Sequence, residues 1–141
     1  MEVTGEAAGR PPRLVLRMSS STPRLYIIDE HGPVRRALAE RLSRVGSVTV
    51  VGDAAEPAQA IEAIRTDLID IVLIEIKRSD GLGLELVRQI TAPPDAPKVI
   101  VLTTYPTDWE EAAAKRAGAA AYVLKDLDAK ELLRHILAAP G

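Results

Sequence analysis

Cysteine is absent from the 141-residue chain, which removes disulfides, thiolate metal sites and thiol nucleophiles in one step. Phenylalanine is absent as well, and aromatic residues make up only 3%. Any core must therefore be packed from Val, Ile, Leu and Ala. No apolar run approaches the roughly 18 residues needed to span a bilayer, and Glu2, Glu6 and Arg10 stand where a signal peptide would place its apolar stretch. The cytoplasm is the expected location. There is no excess of positive charge either: 18 Lys plus Arg against 20 Asp plus Glu give a net charge of −2, with a pI near 5.7. A chain so balanced displaces few counterions from phosphates, so DNA contact is expected only through a separate output domain. What is present, 47% hydrophobic and 27% charged residues, suits one globular domain.

Residues 1–22 mix Gly, Pro, Ser, Thr and Arg without sustained periodicity, interrupted only by Leu14-Val15-Leu16. They read as a mobile N-terminal tail, with an extra edge strand from Arg13 to Arg17 as the alternative. Met18 offers a second start just before the first strand. Over residues 23–139 short β-branched apolar runs alternate with segments of helical period, the signature of βαβ units. The runs are Leu25 to Ile28, Val48 to Val51, Ile69 to Ile74, Val99 to Leu102 and Ala121 to Leu124. Nearly continuous apolar character is what parallel strands covered on both faces require. Between them, Val34, Ala37, Leu38, Leu42 and Val45 recur at helical spacing, as do Leu132, Leu133, Ile136 and Leu137 near the end.

The helix ends carry their own signals. Pro33 and Pro57 suit first turns, and Gly46 and Gly118 suit left-handed C-caps. Thr107 with Glu110 has capping-box spacing, and Asp128 with Glu131 a similar arrangement. Five such units predict an α/β, doubly wound sandwich with helices on both faces of one parallel sheet.

Ligands in such sheets bind beyond the carboxyl ends of the strands. Asp29 and Glu30 follow the first run, Glu75 the third, Thr103 and Thr104 the fourth, and Lys125 the fifth. Three carboxylates brought into one crevice repel unless a cation joins them. Hard oxygen donors of this kind suit Mg²⁺, and the Lys with a hydroxyl suits an anionic phosphoryl group.

These residues resemble a response-regulator receiver domain, the phosphoryl-accepting module of two-component signalling. The resemblance runs through Tyr26 to His31, Ile71 to Glu75, Asp80 to Leu86, Val99 to Thr103 and Ala117 to Asp126. It implies that Asp29 and Glu30 form the Mg²⁺-binding acidic pair, that Thr103 is the switch hydroxyl, Tyr122 the rotating aromatic and Lys125 the phosphate-contacting lysine. The family's phosphoacceptor Asp is matched here by Glu75. Ser79 replaces a proline usual four residues later, and Thr104 a smaller residue beside the switch hydroxyl. The resemblance implies a flavodoxin-like (βα)5 fold with a five-stranded parallel sheet of order 2-1-3-4-5 and a non-enzymatic module in transcriptional control, with no cofactor required and Mg²⁺ as a candidate ligand. It also implies protein partners or a homodimer through the fourth helix, fifth strand and fifth helix, Thr107 to Ala117 and Asp128 to Leu137.

The extra methylene of Glu75 moves its carboxylate by roughly 1.5 Å, and in-line attack on a phosphodonor is sensitive to shifts of about 1 Å. Phosphorylation-independent signalling is the expectation. The longer reach toward Lys125 and Thr103 leaves two alternatives, a fixed active-like state or a site without a switch. A conventional Mg²⁺-dependent phosphoryl acceptor is a further alternative, as is a flavodoxin-like small-ligand domain. The last lacks a Gly-rich phosphate loop, and Val34 stands where a corrinoid-type motif wants Gly. His31 and His135 are expected to face solvent; Trp109 to pack into the core, with a partly exposed indole at a partner surface as the alternative; and Lys77 and Arg78 to be solvated, with salt bridges to the acidic crevice as the alternative.

Overall fold

Strand residues two apart share a face, so each run above must supply two layers at once. The computed structural model, which describes residues 22–140, shows this division directly. The elements alternate as β1 (Arg24–Ile28), α1 (Gly32–Val45), β2 (Thr49–Ala54), α2 (Pro57–Thr66), β3 (Ile71–Glu75), α3 (Gly83–Thr91), β4 (Lys98–Thr103), α4 (Asp108–Ala117), β5 (Ala121–Leu124) and α5 (Ala129–Ala138). All strand pairs are parallel, as the alternation predicts, and the sheet order is β2-β1-β3-β4-β5, as the resemblance implies. The tail, the edge-strand alternative at Arg13 to Arg17 and the Met18 start lie outside the described residues.

Leu25, Ile27, Ile71, Leu73, Ile100 and Leu102 pack against Leu38 and Leu42 of α1 and Leu132 and Ile136 of α5. Tyr26, Ile28, Val72, Ile74, Val99 and Val101 face the other way, onto α2, α3 and α4. β1, β3 and β4 are thus dry on both sides, and their carboxyl ends form a rigid base for whatever follows them.

The caps behave as their residues dictate. Pro33 and Pro57 lie in first turns, and Gly46 and Gly118 end α1 and α4 in left-handed conformation, with φ of 86° and 117°. Thr107 and Asp128 accept hydrogen bonds from the backbone N–H groups of Glu110 and Glu131. Trp109 corrects an expectation: it is 71% exposed. The buried stripe of α4 is Glu110, Ala113, Ala114 and Ala117, and Trp109 lies outside that stripe. Among the described residues no helix is long and apolar enough to cross a membrane.

Candidate functional site

The structure brings Asp29, Glu75 and Lys125 together at the carboxyl ends of β1, β3 and β5. Asp29 is 2% exposed and Glu75 8%. The Lys125 ammonium lies 2.9 Å from Asp29 Oδ2 and 3.0 Å from Glu75 Oε1. Burial pushes the Lys125 pKa down, but hydrogen bonds and charge from Asp29 and Glu75 outweigh it and hold the ammonium above its ordinary value. Two buried carboxylates are therefore neutralised in part by an internal cation. Thr103, fully buried at the end of β4, passes its backbone carbonyl to the Lys125 N–H at 2.7 Å and so fixes where that side chain starts.

Glu30 does not join them. Its carboxylate turns to the loop after β3, accepting from the Ser79 N–H at 2.9 Å and from the Ser79 hydroxyl at 3.0 Å. A proline at position 79 would have no N–H to give, so this contact depends on the serine. The remaining oxygens are engaged as well. Asp29 Oδ1 accepts the His31 N–H at 2.9 Å, and Glu75 Oε2 accepts the Lys77 N–H at 3.1 Å. Among the described residues no group of three or more acidic or histidine side chains is arranged to hold a metal ion. As folded, the donor set fits an ammonium and backbone N–H groups rather than Mg²⁺, whose near-octahedral shell needs oxygens left free.

The basic pair corrects a second expectation, because neither residue is simply solvated. Arg78 is 9% exposed; its guanidinium forks onto Asp80 and donates to Ala55 O at 3.0 Å. The Arg78 hydrogen bond holds the Asp80 carboxyl below its usual range. Lys77 reaches the opposite way, donating to Thr103 Oγ1 at 3.2 Å. Of the two partners expected for Glu75, it meets Lys125, while the Thr103 hydroxyl is taken by Lys77. Sequence periodicity carried no signal for that contact beyond alternation past the strand end, which puts positions 75 and 77 on one side.

Tyr122 completes the α4 cap. In a capping box the third side chain returns to the cap N–H, but here the Tyr122 hydroxyl is interposed: it accepts the Thr107 N–H at 3.1 Å and donates to Glu110 Oε1 at 2.6 Å. Burial, then the Glu110 hydrogen bond, push the Tyr122 hydroxyl pKa up. His31 is 63% exposed, as expected, with Nδ1 3.3 Å from Asp29 Oδ1. An open cleft of about 480 Å³ above these groups is lined by His31, Val34, Glu75, Lys77, Thr104 and Lys125 among others.

The model of the response regulator receiver domain matches residues 25–137. The chain is 31% identical over 113 residues to the DNA-binding transcriptional activator DevR/DosR of Mycobacterium tuberculosis, covering 80% of this chain and 52% of the relative. It is 31% identical over 116 residues to the transcriptional regulatory protein LiaR of Bacillus subtilis, covering 82% and 55%. The chain thus spans about half the length of the curated relatives it matches. A LuxR-family two-component response regulator from an Aurantimonas species superimposes with a TM-score of 0.76 at 30% identity, covering 84% of each chain. The signal receiver domain of NarL from M. tuberculosis does so with a TM-score of 0.75 at 26% identity, covering 83% and 94%. With its strand order, its polar residues at the strand ends and these likenesses in agreement, the chain belongs to the response regulator receiver domains of two-component signalling, a signalling module related to transcriptional regulators.

Proposed function

We propose that this receiver signals without phosphorylation, through protein contacts, in transcriptional control. The observation that carries the reading is the Lys125 ammonium seated between Asp29 and Glu75 at 2.9 and 3.0 Å. Glu75 stands where the family places its acceptor Asp, and Asp29, Glu30, Thr103, Tyr122 and Lys125 stand at the acidic-pair, switch and phosphate-contacting positions. The longer side chain reaches the lysine and, together with Asp29, pairs its charge, so the cation that would draw in a phosphoryl group is already engaged by two carboxylates. Mg²⁺ is not required, since Glu30 is committed to Ser79. Output passes to protein partners or to a second copy through the α4, β5 and α5 face, and to DNA only through a separate output domain such as half-length coverage of the relatives leaves room for.

Intact mass after incubation with a small phosphodonor and Mg²⁺ tests this on the wild type and Glu75→Asp side by side. The expected result is no phosphoryl adduct on the wild type. An adduct on Glu75→Asp alone shows that the pocket is otherwise competent and that the glutamate uncouples it. A stable adduct mapped to the wild-type pocket overturns the reading in favour of a conventional receiver.

A further inference from the structure

The loop after β3 sends consecutive residues to three different neighbours. Arg78 reaches Ala55 beyond β2, Ser79 reaches Glu30 beyond β1, and Lys77 crosses to the segment beyond β4. The Lys77 contacts are the more consequential. An ammonium carries three N–H donors. Those of Lys77 meet Thr103 Oγ1 at 3.2 Å, Tyr105 O at 3.0 Å and Glu110 Oε1 at 3.3 Å. Thr103 ends β4, Tyr105 lies in the connection to α4, and Glu110 belongs to the first turn of α4, so one cation ties three successive parts of the chain.

Each acceptor is itself held. Thr103 Oγ1 also accepts the Tyr105 N–H at 3.3 Å, and Glu110 Oε1 also accepts the Tyr122 hydroxyl, which in turn takes the Thr107 N–H. Glu110 is 9% exposed, so its carboxylate depends on partners for its charge. An exposed lysine ion pair alone is worth little. A pair whose carboxylate is buried and fixed by a second donor loses less entropy on forming, and it is coupled to that donor.

We propose that Lys77 is an internal effector: it fixes the unit of Thr103, Tyr105, Glu110 and Tyr122 and thereby holds the first turn of α4 and the exposed segment from Tyr105 to Trp109 in one state. This rests on the reading that the site works without a phosphoryl group, and it adds the residue that does the holding. The surface a partner meets is then set by a side chain of the β3 loop rather than by a transient modification.

Amide hydrogen exchange on the wild type, Lys77→Met, Tyr122→Phe and Lys115→Met, with no phosphodonor present, tests the proposal. Lys115 serves as control because it pairs with Glu111 on the outer side of the same helix. Exchange of the Tyr105 and Thr107 amides should quicken on the order of tenfold in Lys77→Met, the scale of losing a charged hydrogen bond. Leu73 in β3 should keep its protection, and Lys115→Met should behave as the wild type. Lys77→Met combined with Tyr122→Phe should gain less than the product of the two single effects, because both act through Glu110. Wild-type exchange at both amides in Lys77→Met overturns the proposal. So does a loss of protection spread equally to Leu73, which would make Lys77 a general stabiliser; Lys77→Arg, which keeps the charge, should retain the local protection in the supported case. A phosphoryl adduct on the wild type would overturn the reading above while leaving these exchange rates interpretable.

Discussion

Lys125 sets the electrostatic character of the site. Because its pKa is raised in the folded state, the ion pair contributes its full stabilisation below the unfolded value of about 10.4 and loses it as pH rises through the raised folded value. Tyr122 acts in the same direction, since its raised hydroxyl pKa favours the folded state only while the phenol stays neutral. Urea unfolding should therefore show a midpoint that is steady from pH 8 to about pH 10 and then falls. Lys125→Met should be less stable at pH 8 by about 3 kcal/mol, because Asp29 and Glu75 are left buried without their cation, and its alkaline fall should be shallower. An equal fall in both proteins would assign the alkaline sensitivity to other groups.

At the scale of elements, one close approach controls how the loop bearing Lys77, Arg78 and Ser79 can run. Gly83 opens α3 directly against that loop: a Cβ there would stand 2.1 Å from Ile76 O and 2.6 Å from Ile76 Cα. Backbone cannot swing aside as a side chain can. Gly83→Ala should lower stability by about 2 kcal/mol or more, read from thermal or urea unfolding, and the same variant should loosen the Ser79 contact to Glu30. This contact and the Lys77 contacts mark the limit of what the sequence conveys. β5 begins and ends where its apolar run does, and the caps at Thr107, Asp128, Gly46 and Gly118 follow from residue type, because such features are local. Asp29, Glu75 and Lys125 were placed by strand ends alone. The path of Glu30 was not, since it depends on where a loop 49 residues later presents an N–H. Trp109 was not settled by period, since it stands four residues before Ala113 at the margin of the stripe at 110, 113, 114 and 117, and the structure leaves it outside.

For the whole molecule, the sheet has two unlike edges. At the β5 edge each of the three flanking elements carries an exposed large apolar residue: Trp109 on α4, Leu124 in β5 and Leu137 on α5. The chain has four aromatic residues, and its only Trp is 71% exposed on the same edge as two further exposed apolar side chains. Self-association through this face, which the proposed function invokes, would cover them, and Trp is among the residues most enriched where binding energy concentrates. Sedimentation of the full chain over a range of concentrations should show a monomer–dimer equilibrium that Trp109→Ala weakens at least about tenfold, within the range of a dominant interface residue. Glu62→Ala on α2, flanking the opposite edge, should leave it unchanged. If Lys77 holds the segment from Tyr105 to Trp109 in place, Lys77→Met should weaken the dimer in the same direction without touching the face itself. A monomer at every concentration would instead assign Trp109 to a different protein partner, and the α4, β5 and α5 face would then be sought in complexes rather than in homodimers.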